Sequence, residues 1–287
     1  MSAYRFCRTD DIALLVDAWN RCGLPHFPSE PPLTVSGFKQ EIRELDLWCS
    51  SCMVAFDAKE PVAVMIGCKR PPHTLVHRIA VHPDHLRKGH GRHLLTSLSA
   101  KLAILGPPHL VAELASDNAS ARALFDACGW REERRYVDLV SDSPMASPAP
   151  PGLVVSVTVD DLMDIGLPEA SAPRSWNRTR GTLVNRKERL LGLAIAGGER
   201  LDASVLYTPE DNGSKEIWSL SAAPGASGEA ALGMLLRELA HCGGGRLVIP
   251  RIEEDEVSLD VLCRLGFTRR GETIGVAAEA QQRFGRI

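Results

Sequence analysis

One stretch, residues 76–91 (VHRIAVHPDHLRKGHG), constrains the fold of this 287-residue chain more than any other. It begins as an apolar, β-branched run typical of a strand and turns at Pro83. It then becomes basic and glycine-spaced, and a helical pattern follows from Arg92. The glycines at 89 and 91 let backbone N–H groups approach a ligand closely, and a helix start adds partial positive charge. The sequence therefore predicts a strand–turn–helix unit that holds phosphate.

This turn differs from two common phosphate loops. A Walker loop needs Gly-Lys-Ser/Thr, and here Lys88 precedes the glycine. A dinucleotide fingerprint needs a third glycine at the position that Leu94 occupies. The sequence favours neither type of nucleotide site.

The stretch resembles the central motif of the GNAT superfamily of acyl-CoA N-acyltransferases, which reads apolar-x-Val-x-Pro-x-x-Arg/Gln-x-x-Gly-x-Gly/Ala. Residues 79–83 (Ile-x-Val-x-Pro) and 89–91 (Gly-x-Gly) fall in place, and Leu86 stands where the family has Arg or Gln. Residues 118–130 (NASARALFDACGW) resemble the second family motif, Asn-x-x-Ala-x-x-Leu-Tyr-x-x-x-Gly-Phe, with Phe125 at the tyrosine position. The resemblance covers about residues 3–141, with both motifs in the family's order.

The resemblance implies that acetyl-CoA binds along the central strand, the glycine turn and the second motif. The residues implied in binding are Ile79, Ala80, Val81, Arg87, Lys88, Gly89, His90, Gly91, Arg92, Asn118 and Phe125. It also implies that a backbone N–H near Val81 faces the oxyanion of the tetrahedral intermediate. Asn118 has two possible roles. It is either a helix N-cap, or it contacts the cofactor or an ordered water.

His77 is the candidate catalytic base. Strand alternation places it on one face with Ile79 and Val81, and an imidazole titrates near physiological pH. The alternative is an exposed strand histidine without a catalytic role.

The main departure from the family pattern concerns the general acid, because Phe125 stands at the tyrosine position and has no hydroxyl. Either water or another hydroxyl protonates the leaving thiolate, or the chain binds acyl-CoA without turnover. Phe125 as an ordinary core residue fits the pattern equally well.

Metal and redox sites are not predicted. Six of the nine histidines lie between His73 and His93, but no cysteine or carboxylate arrangement completes a familiar metal site. The eight cysteines are scattered, which favours free thiols in a reducing compartment, and Cys49-x-x-Cys52 has no second pair nearby.

The length suits two domains, and the second half repeats the first. An offset of 141 residues takes Pro83 to Pro224, and an offset of 137 takes Gly129 to Gly266. The first offset aligns Gly89 with Ala230 and Gly91 with Leu232, and Lys and Arg are absent between Trp218 and Leu236. We therefore expect a degenerate second copy without the cofactor loop.

The expected fold class is α/β, with two tandem GNAT-like domains that each have a mixed sheet flanked by helices. The predicted divisions are a catalytic, acetyl-CoA-binding domain at 1–141, a proline-rich linker at 142–152 and the degenerate domain at 153–287. A strand from Arg134 to Val140 is expected to close the first domain.

A net charge of −3 gives no reason to expect nucleic acid or an anionic membrane as partner. Neither a membrane-spanning run nor a signal-peptide core is present, so a cytoplasmic protein is expected. The predicted activity is transfer of an acetyl group from acetyl-CoA to the primary amine of a small molecule, by direct attack in a ternary complex. The alternatives are a non-catalytic acyl-CoA sensor and a protein acetyltransferase. Acceptor contacts are expected from the first two helices and the loop at 24–33, and oligomeric state is not predicted.

Overall fold

The structure is a computed structural model that describes residues 2–142, 153–165, 174–197, 200–241, 245–254 and 256–281. The chain divides into two compact units. Unit 1 comprises Met1–Arg134 and Ile274–Ile287, and unit 2 comprises Arg135–Thr273. The predicted linker lies outside the described residues except for Asp142.

Unit 1 alternates strands and helices around one sheet. Its elements are β1 (Ala3–Phe6), α1 (Ile12–Cys22), α2 (Val35–Leu45), β2 (Met53–Asp57), β3 (Glu60–Arg70), β4 (His73–Val81), α3 (His90–Leu105), β5 (His109–Ala115), α4 (Ala119–Asp126) and the start of β6 (Arg131–Ser141). Strands β1 to β4 pair antiparallel in order, and β4 pairs parallel with β5.

Local sequence accounts for the helices of unit 1. In α1 the buried residues recur at helical spacing and include Leu15, Ala18 and Trp19. Helix α2 follows Thr34, whose Oγ1 accepts a hydrogen bond from the Gly37 N–H at 3.0 Å. In α3 a stripe of fully buried leucines packs against the sheet; these are Leu94, Leu95, Leu98 and Leu102.

Unit 2 repeats this order of elements. They are β7 (Val154–Val157), α5 (Val159–Ile165), α6 (Arg180–Asn185), β8 (Leu191–Gly197), β9 (Arg200–Pro209), β10 (Lys215–Ala222), α7 (Ala226–His241), β11 (Leu247–Ile252), α8 (Leu259–Arg264) and the start of β12 (Thr268–Glu279). Strands β7 to β10 pair antiparallel in order, and β10 pairs parallel with β11. The predicted tandem repeat of one mixed α/β fold is confirmed.

The strand expected to close the first domain has a different partner. Residues 135–141 of β6 belong to unit 2, where Val140 pairs with Val248 of β11. In unit 1 the strand next to β5 is instead the end of β12, and Ile274 and Val276 are buried in the core of unit 1. The expectation failed because alternation along a strand predicts that a strand forms but not which strand it pairs with.

Candidate acyl-transfer site

The site begins where two parallel strands of unit 1 separate. Strands β4 and β5 are paired from His73 with His109 to Val76 with Ala112. Both strands then continue, β4 to Val81 and β5 to Ala115, without a further described pair between them. Along its other edge β4 stays paired with β3 as far as Val81 with Ala63. The result is an opening with backbone donors and acceptors on the β4 side, which suits an extended polar ligand.

The orientation of Val81 follows from its neighbour. The His82 N–H donates to the Val62 C=O on β3 at 2.9 Å. Because successive residues of a strand direct their N–H groups to opposite edges, the Val81 N–H and C=O face the opening. This is the position at which the family resemblance places the oxyanion donor.

The prediction that His77 shares a face with Ile79 and Val81 is wrong. The pairing of β3 with β4 skips His77, since Ile66 pairs with Arg78 and Gly67 with Val76. This β-bulge breaks the alternation. Ile79 and Val81 pack against the core under α3, whereas the His77 Nε2 lies 3.7 Å from the Glu41 Oε2 on α2.

Glu41 and Arg78 form a half-buried bidentate ion pair beside His77. The Arg78 Nη1 and Nη2 donate to the two Glu41 carboxylate oxygens at 2.5 and 2.9 Å. The guanidinium carbon of Arg78 also lies 5.1 Å from the centre of the Trp19 ring. Burial raises the pKa of Glu41, but the nearby His77 ring and the Arg78 hydrogen bonds outweigh it and lower that pKa to about 2. The carboxylate is therefore charged at neutral pH.

The start of α3 has the features of an anion site. Gly89 has φ +86° directly before the helix, and the first helical donor is the His93 N–H, which donates to the Gly89 C=O at 3.0 Å. The N–H groups of residues 89–92 therefore have no carbonyl partner within the helix. Arg87, Lys88 and Arg92 are exposed around this end, and the Lys88 Nζ donates to the Asp84 C=O at 2.9 Å. These residues fit the pyrophosphate that the resemblance implies.

Two residues of the implied binding set are constrained by packing. His90 is buried, and its Nδ1 is hydrogen-bonded to the Tyr4 hydroxyl at 2.7 Å, so only its backbone faces a ligand. A Cβ on Gly91 would lie 2.9 Å from the Leu124 Cδ2, so the second glycine permits close approach of α3 to α4. Nothing in the sequence indicated the contact between Tyr4 and His90.

The second motif is mainly structural in its contacts. The Asn118 Oδ1 accepts a hydrogen bond from the Ala121 N–H at 3.0 Å, which is the N-cap reading. Phe125 is 1% exposed, and its ring centre lies 4.9 Å from that of Trp130 in an edge-to-face arrangement. Ala80, the remaining implied strand residue, is buried in β4.

Unit 2 lacks the corresponding turn. Eight residues, 82–89, separate β4 from α3, but only three, 223–225, separate β10 from α7. Both helices have 16 residues, and Gly225 with φ +94° precedes α7 as Gly89 precedes α3. The alignment of Gly89 with Ala230 is therefore wrong, because leucines recur on a helix face about every fourth residue and a sequence overlay can slip by one turn.

The short turn closes the helix start of unit 2. A Cβ on Gly228 would collide with the Ala223 carbonyl, so backbone of the turn lies over the first turn of α7. Glu229 adds an acidic group there, and its carboxylate binds Arg264 at 2.8 Å. This end of unit 2 has neither the space nor the charge of the α3 start.

Cysteine and histidine clusters show no arrangement suited to metal. Within the described residues no group of three or more His, Cys, Asp or Glu side chains could hold an ion. Burial raises the pKa of both Cys49 and Cys52, which disfavours reactive thiolates.

In the part of the chain that the structure describes, none of the helices combines the length and apolar character needed to cross a bilayer.

Comparisons with known proteins agree with this fold. Residues 13–130 match the family described as "Acetyltransferase (GNAT) family". A GCN5-related N-acetyltransferase from Sphaerobacter thermophilus is 18% identical, with a TM-score of 0.68 over 98% of this chain and 96% of its own. A tandem GNAT protein from the clavulanic acid biosynthesis pathway is 16% identical, with a TM-score of 0.65 over 98% of this chain and 99% of its own. A search of curated proteins finds no match.

The fold is thus that of tandem acyltransferase-like proteins, with one strand–turn–helix site in unit 1. Residues 13–130 match the GNAT acetyltransferase family. This match supports a transferase that uses acyl-CoA.

Proposed function

We propose that unit 1 is an acetyl-CoA-dependent N-acetyltransferase that acts on the primary amine of a small molecule. One observation carries the proposal: the opening between β4 and β5 leads to the exposed cationic start of α3. A ligand with an extended amide-bearing arm and a pyrophosphate, as acetyl-CoA has, is complementary to both parts. Acetyl-CoA supplies the activated acetyl thioester for the reaction.

Binding is assigned to the turn and to the edge of β4. The N–H groups of Gly89 to Arg92 would donate to pyrophosphate, with Arg87 and Lys88 adding charge. The backbone N–H and C=O of Ile79, which face the opening by the same alternation as Val81, would pair with the extended arm. The Val81 N–H would donate to the oxyanion, a preorganised contact that contributes about 3 to 4 kcal/mol in comparable sites.

We further propose that unit 2 binds no cofactor. The three-residue turn, the Gly228 collision and Glu229 support this. Unit 1, formed by residues 1–134 and the C-terminal strand, would then hold one acetyl-CoA per chain. A calorimetric stoichiometry of two would refute the assignment.

The competing function is acyl-CoA sensing without turnover, which the buried Phe125 favours because the family acid is missing. A coupled thiol-release assay with amino acids, polyamines and amino sugars separates the two. Turnover with any of these amines supports the transferase, whereas measurable acetyl-CoA binding without thiol release across the panel supports the sensor.

A further inference from the structure

A histidine from the α1–α2 connection lies at the opening. His26 ends a 3-10 turn (Leu24–His26) that follows α1, and its Nε2 lies 2.8 Å from the Val81 carbonyl oxygen. Since a carbonyl oxygen can only accept, the His26 Nε2 carries the hydrogen. The neutral ring then has its lone pair on Nδ1, so this contact fixes the tautomer of a side chain that is exposed to solvent.

The contact places the ring beside the expected reaction centre. The N–H and C=O of one extended residue leave a strand on the same edge, and both groups of Val81 face the opening. The His26 ring therefore approaches the peptide unit whose neighbouring N–H is the proposed oxyanion donor. An amine entering from the α1–α2 side would meet Nδ1 next to the thioester carbonyl.

The histidine predicted from sequence is less well placed. The His77 Nε2 is directed at Glu41, on the face of β4 away from Ile79 and Val81. His73 lies at the far end of β4 beside His109, where β4 and β5 are still paired. His26, by contrast, is exposed, and its ring contacts the Val81 carbonyl oxygen.

We propose that His26 is the general base of acetyl transfer, an inference that rests on the function proposed for unit 1. The amine nitrogen forms a bond to the thioester carbonyl carbon, and the carbonyl π pair moves to the oxygen at the Val81 N–H. The amine proton passes to the His26 Nδ1. When the tetrahedral adduct collapses, the C–S bond breaks and sulfur leaves with that electron pair. The thiolate takes a proton from the imidazolium, either directly or through water, so that amide and thiol are the products.

The decisive variant is His26→Gln. A glutamine Nε2 can still donate to the Val81 carbonyl but cannot take a proton, so it separates positioning from catalysis. We expect the Kd for acetyl-CoA to stay within about two-fold and kcat to fall about 100- to 10,000-fold, the usual contribution of a general base. In His26→Ala, added free imidazole is expected to restore part of the lost kcat. His73→Gln is the matched control, and its kcat is expected to equal that of the unmodified chain.

The possible results test the role of His26, the transferase activity and the cofactor site separately. A kcat for His26→Gln equal to that of His73→Gln would overturn the role of His26 while leaving the transferase intact. An unmodified chain that binds acetyl-CoA but releases no thiol would overturn both the catalytic function and this inference. Failure of the unmodified chain to bind acetyl-CoA would refute the cofactor site itself.

Discussion

Replacing Ile274 with alanine is expected to destabilise unit 1 by about 3 kcal/mol. Ile274 comes from the C-terminal strand, is 3% exposed and lies in one cluster with Phe125 and Trp130. The change removes three carbon atoms, and at about 0.8 kcal/mol for each buried carbon the transfer term is about 2.4 kcal/mol. The cavity left behind adds to this, and buried Ile→Ala changes cost about 2 to 5 kcal/mol in practice.

The same residue type offers a control in the same unit. Ile104, on α3, is 71% exposed, so Ile104→Ala is expected to change stability by less than about 0.5 kcal/mol. Both variants would be unfolded in urea and followed by tryptophan fluorescence. Hydrogen exchange of peptides from β4 and α3 would assign any loss of stability to unit 1.

Equal effects of the two substitutions would refute the placement of β12 in the core of unit 1. A chain that ends at residue 141 provides an independent check, because it lacks Ile274 and Val276 altogether. It is expected to be poorly soluble or to lose acetyl-CoA binding. A soluble, fully active fragment of this length would support the domain boundary predicted from sequence.

Three further predictions concern the site. Gly89→Glu is expected to abolish acetyl-CoA binding in calorimetry because a carboxylate would enter the proposed pyrophosphate site. The control Gly225→Glu, at the equivalent positive-φ position of unit 2, should leave acetyl-CoA binding unchanged. Equal loss of binding in both variants would indicate misfolding instead. Phe125→Tyr is expected to retain or raise kcat in the thiol-release assay if a missing acid limits the rate, and a clear loss of kcat at unchanged acetyl-CoA affinity would contradict that reasoning. Because the pKa of Glu41 is lowered from 4.5 to about 2, its stabilisation is present above pH 4.5 and lost as the pH falls toward 2, by up to about 3 kcal/mol. The urea stability difference between the unmodified chain and Glu41→Gln should therefore shrink between pH 6 and pH 3, and a constant difference would show that the Arg78 contact does not shift this pKa.

The sequence by itself determined the fold class and the position of the glycine turn before α3. The apolar run before Pro83 and the glycines at 89 and 91 are local signals, because strand alternation and positive φ depend on neighbouring residues. The sequence also showed that both motifs recur in the second half, because their apolar periodicity is kept although the glycine loop is not. These features predicted a tandem fold and a strand–turn–helix unit in its first half.

Only the tertiary structure decided which groups face each other. The bulge at His77 moved the predicted base toward Glu41, and a bulge depends on pairing with β3, which alternation along β4 alone cannot reveal. The exchange of the closing strand, β12 for β6, and the contact between His26 and Val81 join residues far apart in the chain. Such long-range contacts leave no periodic pattern in the sequence, because they depend on how separate elements pack and not on the order of residues within any one of them.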